Sequence, residues 1–157
     1  MTWEKGRDVI EALLERKHLE RVTANPADAD HLLARARRHL ATAAELADDD
    51  AEIAYDALYA AARKALTAVL QQQGLRPTQA GGHEAVIQAA EAQLIPPLRD
   101  VLRPFRLLRR TRGSGDYLAA AGALSSDDVR SDLPFAAAIV DAAARIVPQM
   151  SVFIPTR

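Results

Sequence analysis

The segment RRTRGSGDY, residues 109–117, holds the residue types best suited to binding a phosphate. Its arginines are charged donors that match the geometry of phosphate oxygens. Its two glycines permit a turn in which the backbone comes close to a ligand. A carboxylate and a phenol follow them and can orient that ligand. The segment therefore predicts a phosphate or RNA site. The candidate residues of that site are Arg110, Arg112, Asp116 and Tyr117.

A stripe of arginines leads into this segment. Four of them recur at steps of four, three and four, which places them on one face of a helix. They are Arg99, Arg103, Arg106 and Arg110. We expect nucleotide- or RNA-binding contacts from Arg103, Arg106 and Arg109. A solvated helix face is the alternative, because arginine favours helices and cations suit a helix C-terminus.

Histidine commonly moves protons near neutral pH, and His83 is the histidine with an arginine in a suggestive position. Arg76 precedes it by seven residues, and an arginine that holds phosphate beside a proton-transferring histidine is a workable ribonuclease pair. The alternative is that His83 only caps the helix that follows. A helix from His83 to Arg112 would be about 45 Å long. Only a break at Pro96-Pro97, or a second subunit, could bring His83 to the arginines.

No metal site and no cofactor are predicted. Glu15 and His18 have the spacing of a ligand pair in helical di-metal proteins, but such a site needs a second pair and two further carboxylates at matching positions. His31, Arg35 and His39 recur at steps of four and indicate a solvated helix face. If the protein is an enzyme, a metal-independent ribonuclease is expected.

Two tyrosines and two cations follow one another on the predicted second main helix. Tyr55 and Tyr59 are one turn apart and indicate core or interface positions. Arg63 and Lys64 come one turn later, and the sequence leaves open whether they are solvated or face a ligand.

The composition is that of a folded protein with a core. A length of 157 residues predicts one domain. No apolar run approaches the roughly 20 residues that span a membrane, the N-terminus is too charged for a signal peptide, and zero cysteines exclude disulfides and cysteine-based sites. We expect a cytoplasmic protein without membrane association. The net charge of −1 and the shortness of the basic segment argue against DNA binding.

Helical patterns dominate the chain, and strand signals are nearly absent. The predicted helices cover about residues 3–20, 26–48, 50–73, 83–112 and 125–147. The fourth of them is interrupted near Pro96-Pro97, kinked or restarted at Pro104, and ended by the glycines at 113 and 115. The fold class is all-α, an up-and-down four-helix bundle with an extra N-terminal helix. The expected divisions are an N-terminal helical extension at 1–24, the helical bundle at 25–148 and a C-terminal tail at 149–157.

Capping residues mark the starts of three helices. Asn25 precedes Pro26, which suits the first helical position. The aspartates at 48–50 end one helix and can cap the next. Ser125 and the acidic residues behind it indicate the start of the last helix.

Three stretches together resemble a HEPN domain (higher eukaryotes and prokaryotes nucleotide-binding). AEIAYDALYAAARKALTAVLQQQGLRPT at 51–78 resembles the second helix of the family and its closing turn. GGHEAV at 81–86 resembles the start of the third helix. RRTRGSGDYLAAAGALSSDDV at 109–129 resembles the Arg-x-x-x-Asp-Tyr segment of small prokaryotic members. With HLLARARRHLATA at 31–43 as the first helix, the likeness covers about residues 27–147.

The resemblance implies a helical bundle that is usually a homodimer. Many members are ribonucleases built on an Arg-x(4–6)-His motif, and some are toxins restrained by a nucleotidyltransferase antitoxin that can add AMP to a nearby tyrosine. By position, Arg110 or Arg112 matches the motif arginine, and Tyr117 matches the tyrosine and is the candidate for modification. The motif histidine does not carry over, because no histidine follows His83.

Two functions from different classes remain. The first is a HEPN-like RNA- or nucleotide-binding protein that is the ribonuclease component, active or degenerate, of a toxin–antitoxin pair. Here Arg110 and Arg112 hold phosphate, Asp116 or Tyr117 orients the ligand, and His83 is the candidate substitute for the missing histidine. The alternative is a non-enzymatic helical dimer that acts as a protein-interaction module. The sequence leaves open whether the protein is an enzyme.

Overall fold

The computed structural model describes residues 3–115 and 123–156. Three long helices form the centre of the molecule: α2, Pro26–Leu46; α3, Ala51–Gln72; and α6, Ser126–Ile146. α3 packs against both others through buried alanines, which let helix axes approach closely. The predicted all-α bundle is confirmed. Within the described ranges, no helix has both the length and the hydropathy that crossing a bilayer requires.

The three central helices begin where their capping residues predict. The Asn25 side chain accepts a hydrogen bond at 3.0 Å from the backbone N–H two residues on, and Pro26 opens α2. Asp50 accepts one at 3.1 Å from the first turn of α3. Ser125 and Asp128 form a reciprocal capping box at the start of α6.

The fourth predicted helix is two helices, α4 (Gly82–Leu94) and α5 (Arg99–Gly115). Ile95 has the extended backbone that a residue before proline prefers, and two successive prolines cannot continue a helix. α5 therefore runs back antiparallel along α4. The start of α4 consequently lies beside the last turns of α5.

The predicted glycine turn at 113–115 is wrong, because α5 continues through Gly115. The backbone of Gly113 has no positive φ, and a Cβ added there would meet nothing within 4 Å. Neither a turn nor a close approach requires this glycine. Pro104 lies inside α5 without ending it.

The N-terminal part departs most from the prediction. α1, Arg7–Glu15, ends earlier than the predicted helix over 3–20, because Lys17 adopts a left-handed backbone conformation with φ 60°. Residues Leu19–Arg21 then form strand β1, which pairs antiparallel with β2, Leu75–Pro77. Strands of three residues are too short to show an alternating pattern, so this small sheet could not be predicted from the sequence.

A buried pair of glutamines fastens the first and last described segments to the bundle. Gln73 and Gln93, each 1% exposed, donate amide hydrogen bonds to one another at 2.9 and 2.7 Å. The Trp3 indole donates to the Gln93 carbonyl at 3.2 Å. The Phe153 N–H donates to the Gln73 carbonyl at 2.9 Å. The guanidinium of Arg7 covers the Phe153 ring, 4.9 Å from its centroid.

Candidate functional site

Tyr59 on α3 is at the centre of the candidate site. Its side chain is almost fully buried and stacks on Phe105 of α5, with ring centroids 5.6 Å apart. Its hydroxyl oxygen lies 2.9 Å from Nδ1 of His83, in the first turn of α4. A buried phenol requires such a polar partner. Three helices thus hold Tyr59, and Tyr59 in turn positions the imidazole of His83.

Arg112, in the last turns of α5, joins the cluster. Its guanidinium carbon is 5.9 Å from the Tyr59 ring centroid, within the range of a cation–π contact. Its Nε donates to Oδ1 of Asp56 at 3.2 Å, one turn before Tyr59 on α3. The two terminal nitrogens have no hydrogen-bond partner among residues 3–115 and 123–156, and the side chain is 40% exposed. With respect to the described residues, these nitrogens can therefore bind an anion.

Positive charge surrounds His83. Burial lowers the pKa of its imidazole, and the guanidinium groups of Arg63, Arg109 and Arg112 lower that pKa further. The same arginines act to lower the pKa of Tyr59, but the stronger effect of burial leaves it raised. Near neutral pH, His83 is therefore uncharged and the phenol keeps its proton. A neutral imidazole has one nitrogen that accepts and one that donates a proton.

A second buried tyrosine connects α3 to α6 next to the site. Tyr55, fully buried and one turn before Tyr59, donates to Oδ2 of Asp132 at 2.7 Å. Burial, and then the hydrogen bond to this carboxylate, raise the pKa of Tyr55. Both tyrosines are core residues, as their spacing indicated, and the hydroxyl of Tyr59 also belongs to the site.

Part of the predicted arginine stripe is neutralised by carboxylates of α4. Arg106 contacts Glu91 at 2.7 Å and Glu84 at 3.3 Å, and Arg109 contacts Glu84 at 2.7 Å. Burial acts to raise the pKa of Glu84, but hydrogen bonds from Gln88 and the two arginines leave it lowered. These ion pairs join α5 to α4, so the two arginines have a structural role.

The remaining arginines of the stripe border two open clefts between α4 and α5. The first, about 440 Å³, is lined by Ile87, Arg106, Arg109 and Arg110. The second, about 320 Å³, includes Arg99 and Arg103 in its lining. Arg99, Arg103 and Arg110 are exposed and form no ion pair with any other described residue. They are the members of the stripe that can accept an external anion at least cost.

The structure brings His83 to the arginines within one chain. The proline turn that follows α4 does this, so no second subunit is required. His83 does not cap α4, because Gly81 occupies the N-cap position and the imidazole contacts Tyr59. Arg76 pairs instead with Glu20 across the β1–β2 ladder at 2.5 Å. Arg76 and His83 therefore have separate partners.

The remaining sequence-based candidates are the metal-ligand pair and the two residues predicted to orient the ligand. Glu15 and His18 do not share a helical face, because α1 ends at Glu15. In the described part of the chain, no group of three or more histidines, aspartates and glutamates could hold a metal ion. Asp116 and Tyr117, predicted to orient the ligand, lie outside the described residues.

The sequence-based candidates did not include Tyr59 or Asp56, and they left Arg63 open. A signal for all three was present on α3, where they recur at steps of three and four and so share one face. What the sequence did not show is that α4 and α5 both meet that face.

A family model described as the HEPN domain matches residues 29–147. No curated protein and no solved structure matches the chain. The family match confirms the resemblance found in the sequence and supports a nucleotide- or RNA-related, ribonuclease-like role. Since it covers well over half of the 157 residues, this chain belongs to the HEPN domain family.

Proposed function

We propose that the protein binds RNA at the cluster of Tyr59, His83 and Arg112 and cleaves it without a metal ion. One observation carries this proposal. A histidine that is neutral near neutral pH contacts a buried tyrosine, and the same tyrosine ring is contacted from another helix by an arginine whose terminal nitrogens have no partner among the described residues. Proton transfer and phosphate binding thus meet in one place, as metal-independent cleavage of RNA requires.

The chemistry uses each group in one role. Arg112 binds the non-bridging oxygens of the scissile phosphate and stabilises the negative charge that develops on them. In the tautomer in which Nδ1–H of His83 donates to the Tyr59 hydroxyl oxygen, Nε2 is unprotonated and takes the proton of a ribose 2′-hydroxyl. The 2′-oxygen attacks phosphorus, and the bond from phosphorus to the 5′-oxygen breaks. A 2′,3′-cyclic phosphate remains, and the departing 5′-oxygen takes a proton from water.

The test is cleavage of a labelled single-stranded RNA in the presence of EDTA. We expect His83→Gln to lower the cleavage rate by about 10²- to 10⁴-fold, the usual contribution of a general base. Arg112→Gln should lower both the cleavage rate and the affinity for RNA. His31→Gln and Arg16→Gln, on exposed positions of α2 and after α1, are the matched controls. Wild-type cleavage by the His83→Gln protein would contradict the catalytic assignment.

We propose further that this activity belongs to a toxin held in check by a nucleotidyltransferase antitoxin. The resemblance to small prokaryotic HEPN proteins supports this, with Tyr117 as the tyrosine to be modified. Expression of the protein alone should slow growth, and co-expression of a nucleotidyltransferase encoded by an adjacent gene should restore it. Mass spectrometry of the co-expressed protein should find added AMP on Tyr117. Growth unaffected by the protein alone would contradict the toxin assignment.

A second function, a protein-interaction module, is favoured by exposed apolar side chains on the bundle. Leu107 on α5 is 48% exposed, and Phe135 on α6 is 45% exposed. Such side chains are common at protein interfaces. A homodimer in solution that Leu107→Asp or Phe135→Asp converts to a monomer, with no RNA affinity in either form, would support this function over the first.

A further inference from the structure

A second group of cations lies on α2 and α3, outside the cluster around Tyr59. Arg35 and Arg38 on α2 are exposed, whereas His39 on α2 and Arg63 and Lys64 on α3 are partly buried. Burial is the largest cause that lowers the pKa of both His39 and Lys64, and the neighbouring cations lower both further. We call these five residues the α2–α3 basic group.

No carboxylate of the described part of the chain neutralises this group. Within residues 3–115 and 123–156, none of its three arginines, nor Lys64, takes part in an ion pair, and none of the groups that act on His39 and Lys64 is acidic. By contrast, three arginines of α5, Arg106, Arg109 and Arg112, each have a carboxylate partner on α4 or α3. Uncompensated like charges that are partly buried cost free energy, which an external anion would recover.

Arg63 connects this group to the candidate site. Its charge acts on His39 of α2 and also on Tyr59 and His83. α3 contacts both α2 and α4, so a path from His39 to His83 crosses two helix–helix spacings, about 16–20 Å in all. A ligand that contacts both ends must carry anionic groups spread over about that distance, as the phosphodiester backbone of an oligonucleotide does.

We propose that the α2–α3 basic group is a second phosphate-binding site, which holds the backbone of a single-stranded RNA whose scissile phosphate lies at His83. The proposal rests on the proposed function for the position of the scissile phosphate. A single strand is the form that fits, because in-line attack by a 2′-hydroxyl needs a freely turning sugar–phosphate backbone. Polyanionic protein segments are the other possible occupants, and the experiment separates them.

The test compares a labelled 20-nucleotide oligouridylate with a 4-nucleotide one by fluorescence anisotropy at several salt concentrations. The variant is Arg35→Ala with Lys64→Ala, which leaves Arg63 and the candidate site intact. The control is Arg37→Ala with Arg16→Ala, two exposed arginines outside the group. Thermal melting monitored by circular dichroism confirms that both variants fold.

We expect the variant to bind the 20-mer at least tenfold more weakly at low salt. The slope of log affinity against log salt should fall by about 1.4, or about 0.7 for each lost phosphate contact. Affinity for the 4-mer, and its cleavage rate, should stay at wild-type values. The control should keep the wild-type slope. In the wild-type protein, the pKa of His39 measured by NMR titration should rise when the 20-mer binds. The phosphates would offset the neighbouring cations that lower this pKa, which are Arg35, Arg38, Arg63 and Lys64.

An unchanged slope in the variant, or an equal loss in the control, overturns the proposal. So does a variant that keeps its affinity for RNA but loses affinity for poly-glutamate, because that assigns the group to an acidic protein. A wild-type protein that binds the 20-mer through this group but cleaves no RNA leaves the second site in place and contradicts only the catalytic part of the proposed function.

Discussion

At the scale of single residues, the candidate site depends on which side chains the two buried tyrosines of α3 contact. Tyr55 and Tyr59 lie one turn apart and are both buried, yet the first donates to a carboxylate and the second contacts an imidazole. Their burial could be predicted from the spacing of apolar residues on α3. Their partners could not, because Asp132 and His83 are 77 and 24 residues further along the chain.

Replacing one cation should change the pKa of His39 without changing that of His83. The pKa of His83 is lowered by burial and by arginines that include Arg63, and the pKa of His39 by burial and by cations that include Lys64 and Arg63. We expect Lys64→Gln to raise the pKa of His39 toward 6.5 and to leave that of His83 unchanged. Arg63→Gln should raise both pKa values.

Proton NMR titration of the histidine ring resonances gives these values directly. The His39→Gln protein assigns one signal, and Arg37→Gln serves as the charge-matched control. A His83 signal that moves in the Lys64→Gln protein would contradict the charge distribution described for the site.

At the scale of secondary-structure elements, features that depend on neighbouring residues could be predicted from the sequence, whereas the packing of one helix against another could not. Asn25, Asp50 and Ser125 cap their helices because a cap needs only its own next three residues. The break at Pro96-Pro97 was predicted for the same reason. Its consequence, an antiparallel α4–α5 pair that delivers His83 to Arg112, depends on which faces pack together, and the local sequence does not contain that information.

Two glycines should respond in opposite ways to alanine. A Cβ on Gly81 would lie 2.0 Å from the backbone oxygen of His18, so Gly81→Ala forces the turn before α4 away from β1. We expect a loss of about 1–3 kcal/mol in the free energy of unfolding. Gly113 is helical with open space around it, so Gly113→Ala should gain about 0.5–1 kcal/mol. Urea denaturation measures both, and a destabilised Gly113→Ala protein would show that α5 does not continue through this residue.

The capping box of α6 gives a second prediction at this scale. The Ser125 hydroxyl accepts from the Asp128 N–H at 3.2 Å, and the carboxylate of Asp128 accepts from the Ser125 N–H at 2.9 Å. Ser125→Ala should lower the free energy of unfolding by about 1 kcal/mol. Ser131→Ala, at an exposed position inside α6, is the control and should change stability by less than about 0.5 kcal/mol. Equal effects of the two substitutions in urea denaturation would exclude a capping role.

At the scale of the whole molecule, the net charge is close to zero, but positive and negative charges are unevenly distributed over the surface. The chain carries 20 lysines and arginines and 21 acidic residues. Between α4 and α5, Arg106 and Arg109 pair with Glu84 and Glu91, whereas the α2–α3 basic group has no acidic partner among the described residues. Net charge therefore says little about the partners of this protein.

Stability should fall as the solution becomes mildly acidic. Both His39 and His83 have pKa values below 6.5 in the folded protein, so the unfolded chain binds more protons than the folded one as pH falls below about 7. The free energy of unfolding is therefore highest above the unfolded pKa of 6.5 and declines as pH falls through it. The lowered carboxyl pKa of Glu84 acts only near pH 4.5 and below.

Thermal denaturation between pH 7.5 and 5.5 tests this expectation. The double variant His39→Gln with His83→Gln should lose most of the decline, and His31→Gln should keep it. A decline of the same size in the double variant would assign it to other groups.

The contacts between the first and last described segments have a consequence for the connectivity of the chain. Arg7 donates to the Ile154 carbonyl at 2.5 Å, and Glu11 accepts from the N–H of Thr156 at 2.8 Å. Because these segments lie side by side, a short peptide could join them, and the chain could be opened at the exposed aspartates before α3. In such a circular permutant, α3, α4 and α5 would still follow one another without interruption. The helices that build the cluster around Tyr59 would then be made first on the ribosome rather than in the middle of synthesis.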